Sequence, residues 1–511
     1  MRVLRRVLGG SAINWIQMVV MAVGQILVVP IYLSHWDAAL YGLWLTLQAA
    51  IAYVSVFSGG FQQYIFGEFL SVGPLQKRDL RGIFWSRLPL SFGVAAFETA
   101  IVVALGYSGL LSAVFGNYFG PELEYGWVVL LLYCLMNLIL LPFGGAAASL
   151  VTLYGYFQRC ALWSLLRGSL VLFLPAIGVM AGANFLEVGL LFVLANAAGA
   201  VLSLVDMIGI MRREGVLSRE PVDWPSGLKS LGWAQLLTVR VAVENLRQQG
   251  VRIILSTYLG GSQISQFATT RTLSNVLQIG VGTLINPVLP ELMRYVVNRD
   301  QKRMESAFAV VWLPVLVGLV PAVLVAVATI GPLFEVWTKG KITFDPILFA
   351  LLSTASLVFA AARPAVSVAQ GGNLVRLQAA SAVGSGLALV GLMVVLLPPF
   401  GVRGAALALL VAETVSAGIF TVGAARWLVR SGLRWPLASF SWVLAAIVSA
   451  VIAGVAIAAD DSLAFYVLAV SLVLNAALTF GYFRSAPKEM KAQLSLLLDA
   501  TIGRAFRQRA G

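Results

Sequence analysis

Ionisable side chains crowd into one apolar stretch of this sequence, RVAVENLRQQGVRII, which runs from Arg240 to Ile254. Three arginines and one glutamate lie within these fifteen residues, although only 11% of the chain is charged. A guanidinium group keeps its charge at any working pH, and its paired N–H donors match the oxygens of a phosphate group. These residue types therefore point to the binding of a phosphate-bearing anion.

The spacing of these charges indicates which way they face. On a regular α-helix, Arg240, Glu244 and Arg247 fall on one stripe about 60° wide, and Arg252 lies about 120° away from it. A lipid-facing charge near the centre of a span costs roughly 2.5 to 3.5 kcal/mol, so three such charges cost more than the apolar residues of the span return. We therefore expect the stripe to face a water-filled cavity. There it either binds an anionic head group or forms ion pairs that hold the helices together.

Three glutamates at membrane depth are candidates for ion coupling: Glu98, Glu244 and Glu413. A carboxylic acid in a low-dielectric cavity can take up a proton near neutral pH, because burial disfavours its charged form. A structural salt bridge or hydrogen bond is the alternative for each of them. Asp206 lies near the end of its span, where we expect it to be solvated. Other charges inside apolar spans are Arg167, Arg271 and Arg363.

The sequence shows no pattern of residues that is typical of a metal or cofactor site. The chain has two cysteines, Cys134 and Cys160, and one histidine, His35, and their positions offer no metal-ligand spacing. We expect neither a metal nor another cofactor. An enzyme that transfers or polymerises lipid-linked glycans is a rival interpretation, with Asp37 in the first outer loop as its acid. The chain lacks a long outer loop or outer domain to hold an acceptor, so we expect a protein that is not an enzyme.

Membrane-spanning helices must position these residues. Of the 511 residues, 59% are hydrophobic, and the mean hydropathy of +0.90 is far outside the range of soluble domains. Apolar runs of about twenty residues recur from end to end, which is the length that an α-helix needs to cross a bilayer. The sequence predicts an all-α integral membrane protein with about fourteen transmembrane helices.

The lysines and arginines predict how the helices are oriented, because cytoplasmic loops retain basic residues. With the N-terminus inside, the predicted outer loops hold only Lys339, Lys341 and Arg403, and almost all other basic loop residues fall on the inner side. We therefore expect a multi-pass membrane protein with both termini in the cytoplasm. Contact with membrane lipids then explains the formal charge of +13, and no nucleic acid is needed.

A weak internal repeat predicts two pseudo-symmetric bundles. The segment from Gly24 aligns without a gap over the segment from Gly250, which pairs spans one and two with spans seven and eight. An offset of six spans keeps both halves in one direction, as in transporters whose halves surround a central cavity. The predicted parts are an N-terminal bundle (1–211), a cytoplasmic linker (212–228), a C-terminal bundle (229–430), an extra helical hairpin (431–484) and a cytoplasmic amphipathic tail (485–511).

Three stretches of the sequence carry a resemblance to a known family. They are YGLW after the first hairpin, GVRIILSTYLGGSQISQFATTRTLSNVLQIGVGTLINPVLPEL in the middle of the chain, and FGVRGAALALLVAETV near the predicted twelfth span. They resemble the polysaccharide exporter and O-antigen (lipid-linked oligosaccharide) flippase family of the multidrug, oligosaccharidyl-lipid and polysaccharide exporter superfamily. The resemblance implies alternating-access flipping of an undecaprenyl-diphosphate-linked glycan from the cytoplasmic to the periplasmic leaflet. Gln248 and Gln249 stand near the position where many relatives have an aspartate.

This resemblance implies which substrate group the arginines would bind. On this interpretation the diphosphate of the lipid-linked glycan binds to Arg240, Arg247, Arg271 and Arg363. A polysaccharide polymerase and glycosyltransferases of the same pathway would be partners. Two alternatives stay open: a lipid II flippase, and a multidrug or cation antiporter of the same superfamily. The arginine surplus and the extra hairpin favour a lipid-linked substrate.

Overall fold

The structure is a computed structural model of the 511-residue chain, and it describes residues 2–109, 122–285, 288–459 and 462–491. Most of the predicted cytoplasmic tail, residues 492–511, lies outside the described residues. The described chain is helical almost throughout and contains no β-strand. The expectation of an all-α protein is therefore confirmed.

Within the described ranges the helices follow one another through short turns. In chain order they are α1 (Arg2–His35), α2 (Ala38–Val54), α3 (Val56–Val72), α4 (Lys77–Tyr107), α5 (Glu122–Leu153), α6 (Phe157–Met180), α7 (Phe185–Glu214), α8 (Trp224–Asn245), α9 (Val251–Tyr258), α10 (Gly261–Ile285), α11 (Leu289–Val297), α12 (Gln301–Pro314), α13 (Val320–Trp337), α14 (Pro346–Gly371), α15 (Val375–Arg430), α16 (Leu437–Ala459) and α17 (Ala464–Ser485). Two π-helical segments join consecutive helices: Leu246–Gly250 lies between α8 and α9, and Val315–Leu319 lies between α12 and α13.

Many of these helices match the dimensions of a lipid bilayer. Among the described residues, ten helical segments are long and apolar enough to cross a membrane, or eleven if the pair α2–α3, bent by 44°, forms one span. In this count α12 and α13 form one segment with the π-helical turn between them. The chain is therefore a multi-pass membrane protein, and the count of fourteen spans stays a prediction.

The longest helix, α15, is interrupted inside its sequence. It has 56 residues, and Gly401 departs from helical geometry with φ +54° and ψ −134°. Glycine can adopt this positive φ because it has no Cβ atom. Pro398 and Pro399 precede the break, and neither can donate a backbone hydrogen bond. The helix therefore consists of two segments, 375–400 and 402–430.

The chain divides into two compact units. The first unit comprises Met1–Thr269 and Glu335–Thr343, and the second comprises Thr270–Phe334 and Phe344–Gly511. Helices α1 to α9 belong to the first unit, whereas α10 and α13 each run across a boundary. These bounds differ from those of the predicted bundles, which stay a prediction.

Close helix packing holds the first unit together. Helix α1 packs on α6, α5 packs on α7, and α3 packs on α8. The contact of α3 with α8 depends on Gly60, because a Cβ atom there would lie only 2.6 Å from the Cα of Thr238. The core beside this contact includes the buried side chains of Phe61, Phe69 and Phe84. A larger residue at position 60 would push α3 and α8 apart.

An aromatic cluster joins α1, α2 and α7 in the same unit. The ring of Tyr32 lies 5.0 Å from that of Trp36, 5.5 Å from that of Tyr41 and 6.0 Å from that of Trp44, measured between centroids. Phe185 meets Trp44 edge-on at 6.1 Å. Such pairs add about 0.5 to 1.5 kcal/mol each beyond their burial. The cluster fixes the ends of three helices against one another.

The second unit has its own core. Helix α14 packs along α15, and α16 pairs with α17. Phe308 and Trp312 of α12 are fully buried, and the ring of Trp435 lies 5.0 Å from the first and 6.0 Å from the second. The indole nitrogen of Trp312 donates to the carbonyl of Ala361 at 2.9 Å. These contacts anchor α12 on α14.

Candidate functional site

The predicted charged stripe lies on a continuous helix that contains a π-helical turn. Helix α8 ends at Asn245, the π-helical segment runs from Leu246 to Gly250, and α9 begins at Val251. A π-helical turn holds one more residue than an α-helical turn, so the side chains that follow are rotated relative to a regular helix. Such turns are frequent at functional sites. The segment that carries the predicted stripe therefore contains an irregular turn, which the spacing of the charged residues in the sequence did not reveal.

Glu244 and Arg247 form an ion pair on this helix. Arg247 is only 7% exposed, and its Nη1 lies 3.7 Å from Oε2 of Glu244. The Glu244 side chain is 54% exposed and accepts a hydrogen bond from Nε2 of Gln248 at 3.1 Å. Arg240 is exposed. The three residues therefore differ in burial, and a head-group site formed by them stays a prediction beside the ion pair.

Arg252 takes part in a separate contact. This residue of α9 interacts electrostatically with Tyr41 of α2, which is buried. Arg252 itself is half-buried, and α9 packs on α2 within the first unit. Arg252 thus contributes to the contact between α2 and α9, away from the stripe of Arg240.

Glu98 of α4 caps a helix other than its own. The bend between α2 and α3 leaves backbone N–H groups without helical partners at the start of α3. Glu98 is 4% exposed, its Oε1 accepts a hydrogen bond from the backbone N–H of Ser58 at 2.8 Å, and its Oε2 accepts one from the Ser58 hydroxyl at 2.5 Å. A carboxylate is stabilised at a helix N-terminus by these N–H groups and by the helix dipole. These contacts match the structural alternative, and ion coupling by Glu98 stays a prediction.

The remaining predicted residues belong to the second unit. Arg271 of α10 is 8% exposed. Arg363 of α14 is half-buried, and the carbon of its guanidinium lies 5.5 Å from the ring centroid of Phe359. Glu413 is half-buried on α15. The structure thus divides the predicted site residues between two units, and their roles in substrate binding and coupling stay predictions.

A cavity of about 510 Å³ lies within the first unit, between α1, α5, α6 and α7. We call it the four-helix cavity. Its size is in the range of small-molecule sites, which is about 300 to 1,000 Å³. Polar side chains from all four helices line it: Gln17, Asn137, Ser164, Arg167 and Asn196.

Arg167 is the charged group of the four-helix cavity. Its Nη2 donates to Oδ1 of Asn196 at 3.1 Å, and Asn196 in turn donates from Nδ2 to the carbonyl of Phe192 at 3.0 Å. The stem of Arg167 lies against the backbone of α7 at Gly199, where a Cβ atom would be 2.8 Å from Cγ of the arginine. Among the described residues that line the cavity, none is an aspartate or a glutamate.

Asp206 lies on the same helix as Asn196 but has its own partners. Its carboxylate accepts two hydrogen bonds from Arg159, at 2.7 and 2.6 Å, and one from the indole nitrogen of Trp163 at 2.8 Å. Of these three donors, two belong to a bidentate ion pair with Arg159, which neutralises the acid. Asp206 is therefore paired within the protein rather than solvated as expected from the sequence.

The sequence analysis singled out Arg167 as a charge in an apolar span but missed the amides beside it. Asn137, Asn196 and Gln17 carry no charge, so they do not stand out in a search for buried ions. The available signal is a carboxamide inside an apolar run, because such groups hydrogen-bond across helices in membrane proteins. Only the packing of four helices brings these side chains together.

Comparison with known proteins defines the fold. The lipid II flippase MurJ in its inward closed conformation is similar with a TM-score of 0.64 at 12% identity, over 93% of this chain and 98% of MurJ. A multidrug resistance MATE family transporter of the MOP superfamily, inward-facing, is similar with a TM-score of 0.58 at 13% identity, over 80% of this chain and 95% of its own. The bent form of the Vibrio cholerae MATE transporter VcmN has a TM-score of 0.50 at 14% identity, over 84% and 98% of the two chains.

No protein-family model and no curated relative matches the sequence. The chain has the fold that MurJ and the MATE transporters share. The fold that the resemblance implies is thereby confirmed, and the flippase family itself stays a prediction.

Proposed function

We propose that this protein is a flippase that moves an undecaprenyl-diphosphate-linked oligosaccharide across the bacterial inner membrane for surface polysaccharide biosynthesis. It works by alternating access and leaves the substrate chemically unchanged, so it is not an enzyme. Both termini lie in the cytoplasm, and the glycan moves from the cytoplasmic to the periplasmic leaflet. A polymerase and glycosyltransferases of the same pathway are its partners.

Buried arginines within the helices of a flippase-like fold carry this proposal. Arg247 and Arg271 are almost fully buried, and Arg363 is half-buried. An arginine near the centre of a membrane helix costs roughly 2.5 to 3.5 kcal/mol on insertion scales when it faces lipid, so these residues are expected to face protein or a polar cavity. In such a cavity their paired donors match the oxygens of a diphosphate.

The charge balance favours an anionic substrate over a cationic one. Three arginines and one glutamate lie between Arg240 and Ile254. A cationic drug would meet like charge there, which costs affinity. The multidrug alternative is therefore the weaker one, although the MATE transporters share the fold.

Lipid II is the second candidate substrate. The flippase MurJ, which carries lipid II, matches 93% of this chain. Both candidates depend on the arginines, and they differ in the glycan that is accepted. Expression in a bacterium depleted of its own lipid II flippase separates them: rescue of growth supports lipid II, and lack of rescue with normal abundance supports another lipid-linked glycan.

Alanine substitutions of the arginines test the proposal. In the source bacterium, Arg240→Ala, Arg247→Ala and Arg271→Ala should each abolish export of surface polysaccharide while membrane abundance stays near normal. Surface polysaccharide and protein abundance are measured by immunoblotting. Arg247→Lys should retain part of the export, because an ammonium keeps the charge but loses the paired donors.

The matched control is Arg294→Ala. Arg294 is an exposed arginine at the end of α11, where it pairs with Glu291 of the same helix at 3.5 Å. This variant should export normally. Full export from all three test variants at normal abundance would refute the diphosphate site.

A further inference from the structure

We infer that the four-helix cavity is a separate binding site for the phosphate-bearing head group of a lipid, held by Arg167. This inference does not rest on the proposed transport function. The arginines assigned above to the transported diphosphate do not line this cavity.

The depth of Arg167 gives the first argument. It lies ten residues after Phe157, the first residue of α6, which is about 15 Å along the helix axis. A charge this far into a membrane span is costly unless it is paired or faces a polar cavity. Its hydrogen-bond partner Asn196 is neutral, and within the described ranges Arg167 forms no ion pair. The cavity wall is therefore positively charged.

The nearest acid along α7 does not change this balance. Asp206 is held by the bidentate contact with Arg159 and by the indole of Trp163. Its charge is thus matched by Arg159, and the carboxylate is no counter-ion for Arg167. An anion from outside the chain would supply that counter-ion.

Asn137 gives the second argument. Its side chain lines the four-helix cavity and is only 7% exposed, yet in the part of the chain that the structure describes it makes no hydrogen bond. Its two N–H donors remain available to a ligand, and phosphate oxygens accept hydrogen bonds from amides as well as from guanidinium groups.

The remaining lining defines the class of ligand. Apolar side chains from all four helices share the cavity with the polar ones: Met21, Leu140, Leu141, Val171 and Met207. A soluble anion would leave this apolar surface in contact with water. An amphiphile fits both parts, with its phosphate on Arg167 and Asn137 and an acyl segment against the apolar wall.

Cys160 provides a reporter for occupancy of the cavity. The chain has two cysteines: Cys134 is buried, and Cys160 lines the four-helix cavity. In a Cys134→Ala background, purified in a neutral detergent, a small methanethiosulfonate reagent therefore modifies Cys160 when the cavity is empty. The rate of modification is measured by mass spectrometry with added dioctanoyl phosphatidic acid, dioctanoylglycerol or inorganic phosphate.

Phosphatidic acid at about ten times its Kd should slow the modification by about tenfold, because only the empty fraction reacts. Dioctanoylglycerol has the same chains without the phosphate and should protect weakly or not at all. Inorganic phosphate at the same concentration should also fail to protect. Equal protection by dioctanoylglycerol, or no protection by phosphatidic acid, would overturn the proposal. If inorganic phosphate instead protects as strongly as phosphatidic acid does, that result would refute the assignment of a lipid ligand and would indicate a site for a soluble anion.

Substitutions locate the effect. Arg167→Gln should abolish protection by phosphatidic acid, and Arg167→Lys should retain part of it. The matched control is Arg212→Gln, which removes an exposed arginine at the end of α7. In this variant phosphatidic acid should protect Cys160 as strongly as in the parent protein. Asn137→Leu tests the second donor without changing any charge and should weaken protection. Unchanged protection in Arg167→Gln would refute the assignment.

Discussion

Two acids within helices of the first unit, the buried Glu98 and the half-buried Glu68, differ in the groups that satisfy them. Glu98 is held by the N–H and hydroxyl of Ser58, so a helix start neutralises it. Glu68 accepts two hydrogen bonds from Arg87, at 3.0 and 2.9 Å, and one from the hydroxyl of Ser230 at 2.9 Å. The first arrangement uses backbone dipoles, and the second uses an opposite charge. An ionisable residue in an apolar span is therefore no evidence of transport chemistry until its partners are known.

At the scale of the residue, the cap of α3 can be tested. Glu98→Ala should lower the free energy of unfolding by about 1.5 to 3 kcal/mol, because charge-assisted hydrogen bonds are lost and the Ser58 N–H loses its acceptor. Glu98→Gln keeps a hydrogen-bond acceptor, so the free energy of unfolding should fall by less. Ser58→Ala removes only the hydroxyl bond and should also lose less. Thermal unfolding in detergent measures the stabilities of the three variants and so their order. A Glu98→Ala protein as stable as the parent would contradict the capping role.

Several helices of this chain depart from regular α-helical geometry at defined places. The pair α2–α3 bends by 44° around Ser55, α15 is interrupted at Gly401, and π-helical turns follow α8 and α12. Each of these irregularities has a local feature that accompanies it. The bend between α2 and α3 has a capped helix start at Ser58, α15 has a glycine with positive φ, and each π-helical turn has one extra residue. Broken helices carry substrate sites in many transporters. Of the predicted arginines, Arg240 lies before the π-helical turn between α8 and α9, and Arg247 lies within it.

Removing the extra residue tests the π-helical turn between α8 and α9. Deletion of Gln249 should restore a regular α-helix and rotate α9 relative to α8 by about 100°. Arg252 would then leave its contact with Tyr41, so export of surface polysaccharide should fall strongly. The second π-helical turn offers the control, because deletion of Gly318 makes the same change in the second unit, on a helix without the predicted arginines. Full export after deletion of Gln249 would show that the irregular turn is dispensable.

At the scale of the molecule, two compact units each have their own core and their own buried arginines. Phe61, Phe69 and Phe84 belong to the core of the first unit, whereas Phe308 and Trp312 belong to that of the second. The basic residues of the predicted inner loops outnumber those of the outer loops by far. This asymmetry predicts one orientation for the whole chain, because loops rich in arginine and lysine stay in the cytoplasm.

Two cysteine variants test that orientation. In a chain with Cys134→Ala and Cys160→Ala, the exposed Ser218 and Ser462 are replaced singly by cysteine. A membrane-impermeant maleimide should label Ser462→Cys in intact spheroplasts, whereas Ser218→Cys should be labelled only after the membrane is opened. The two loops lie on opposite sides in the predicted topology. The reverse pattern would place the termini outside.

The sequence alone was enough to determine the class of this protein. Hydropathy is a local property, so runs of apolar residues identify membrane helices without knowledge of their neighbours. The same locality made Arg240, Arg247 and Glu244 visible as charges that need a polar environment. Local motifs also carried the resemblance to a flippase family, and the likeness to MurJ confirms the fold that this resemblance implies.

Only the tertiary structure decided which partner each charge has. The sequence placed Asp206 at a solvated span end, but packing pairs it with Arg159. For Glu98 the sequence left ion coupling and a structural hydrogen bond open, and only packing revealed the contact with Ser58. The four-helix cavity was also out of reach, because Asn137 and Arg167 lie on different helices. Their approach depends on how each helix is rotated about its axis and how closely it packs on its neighbours. These are properties of side-chain contacts between distant segments, and hydropathy along one sequence carries no record of them.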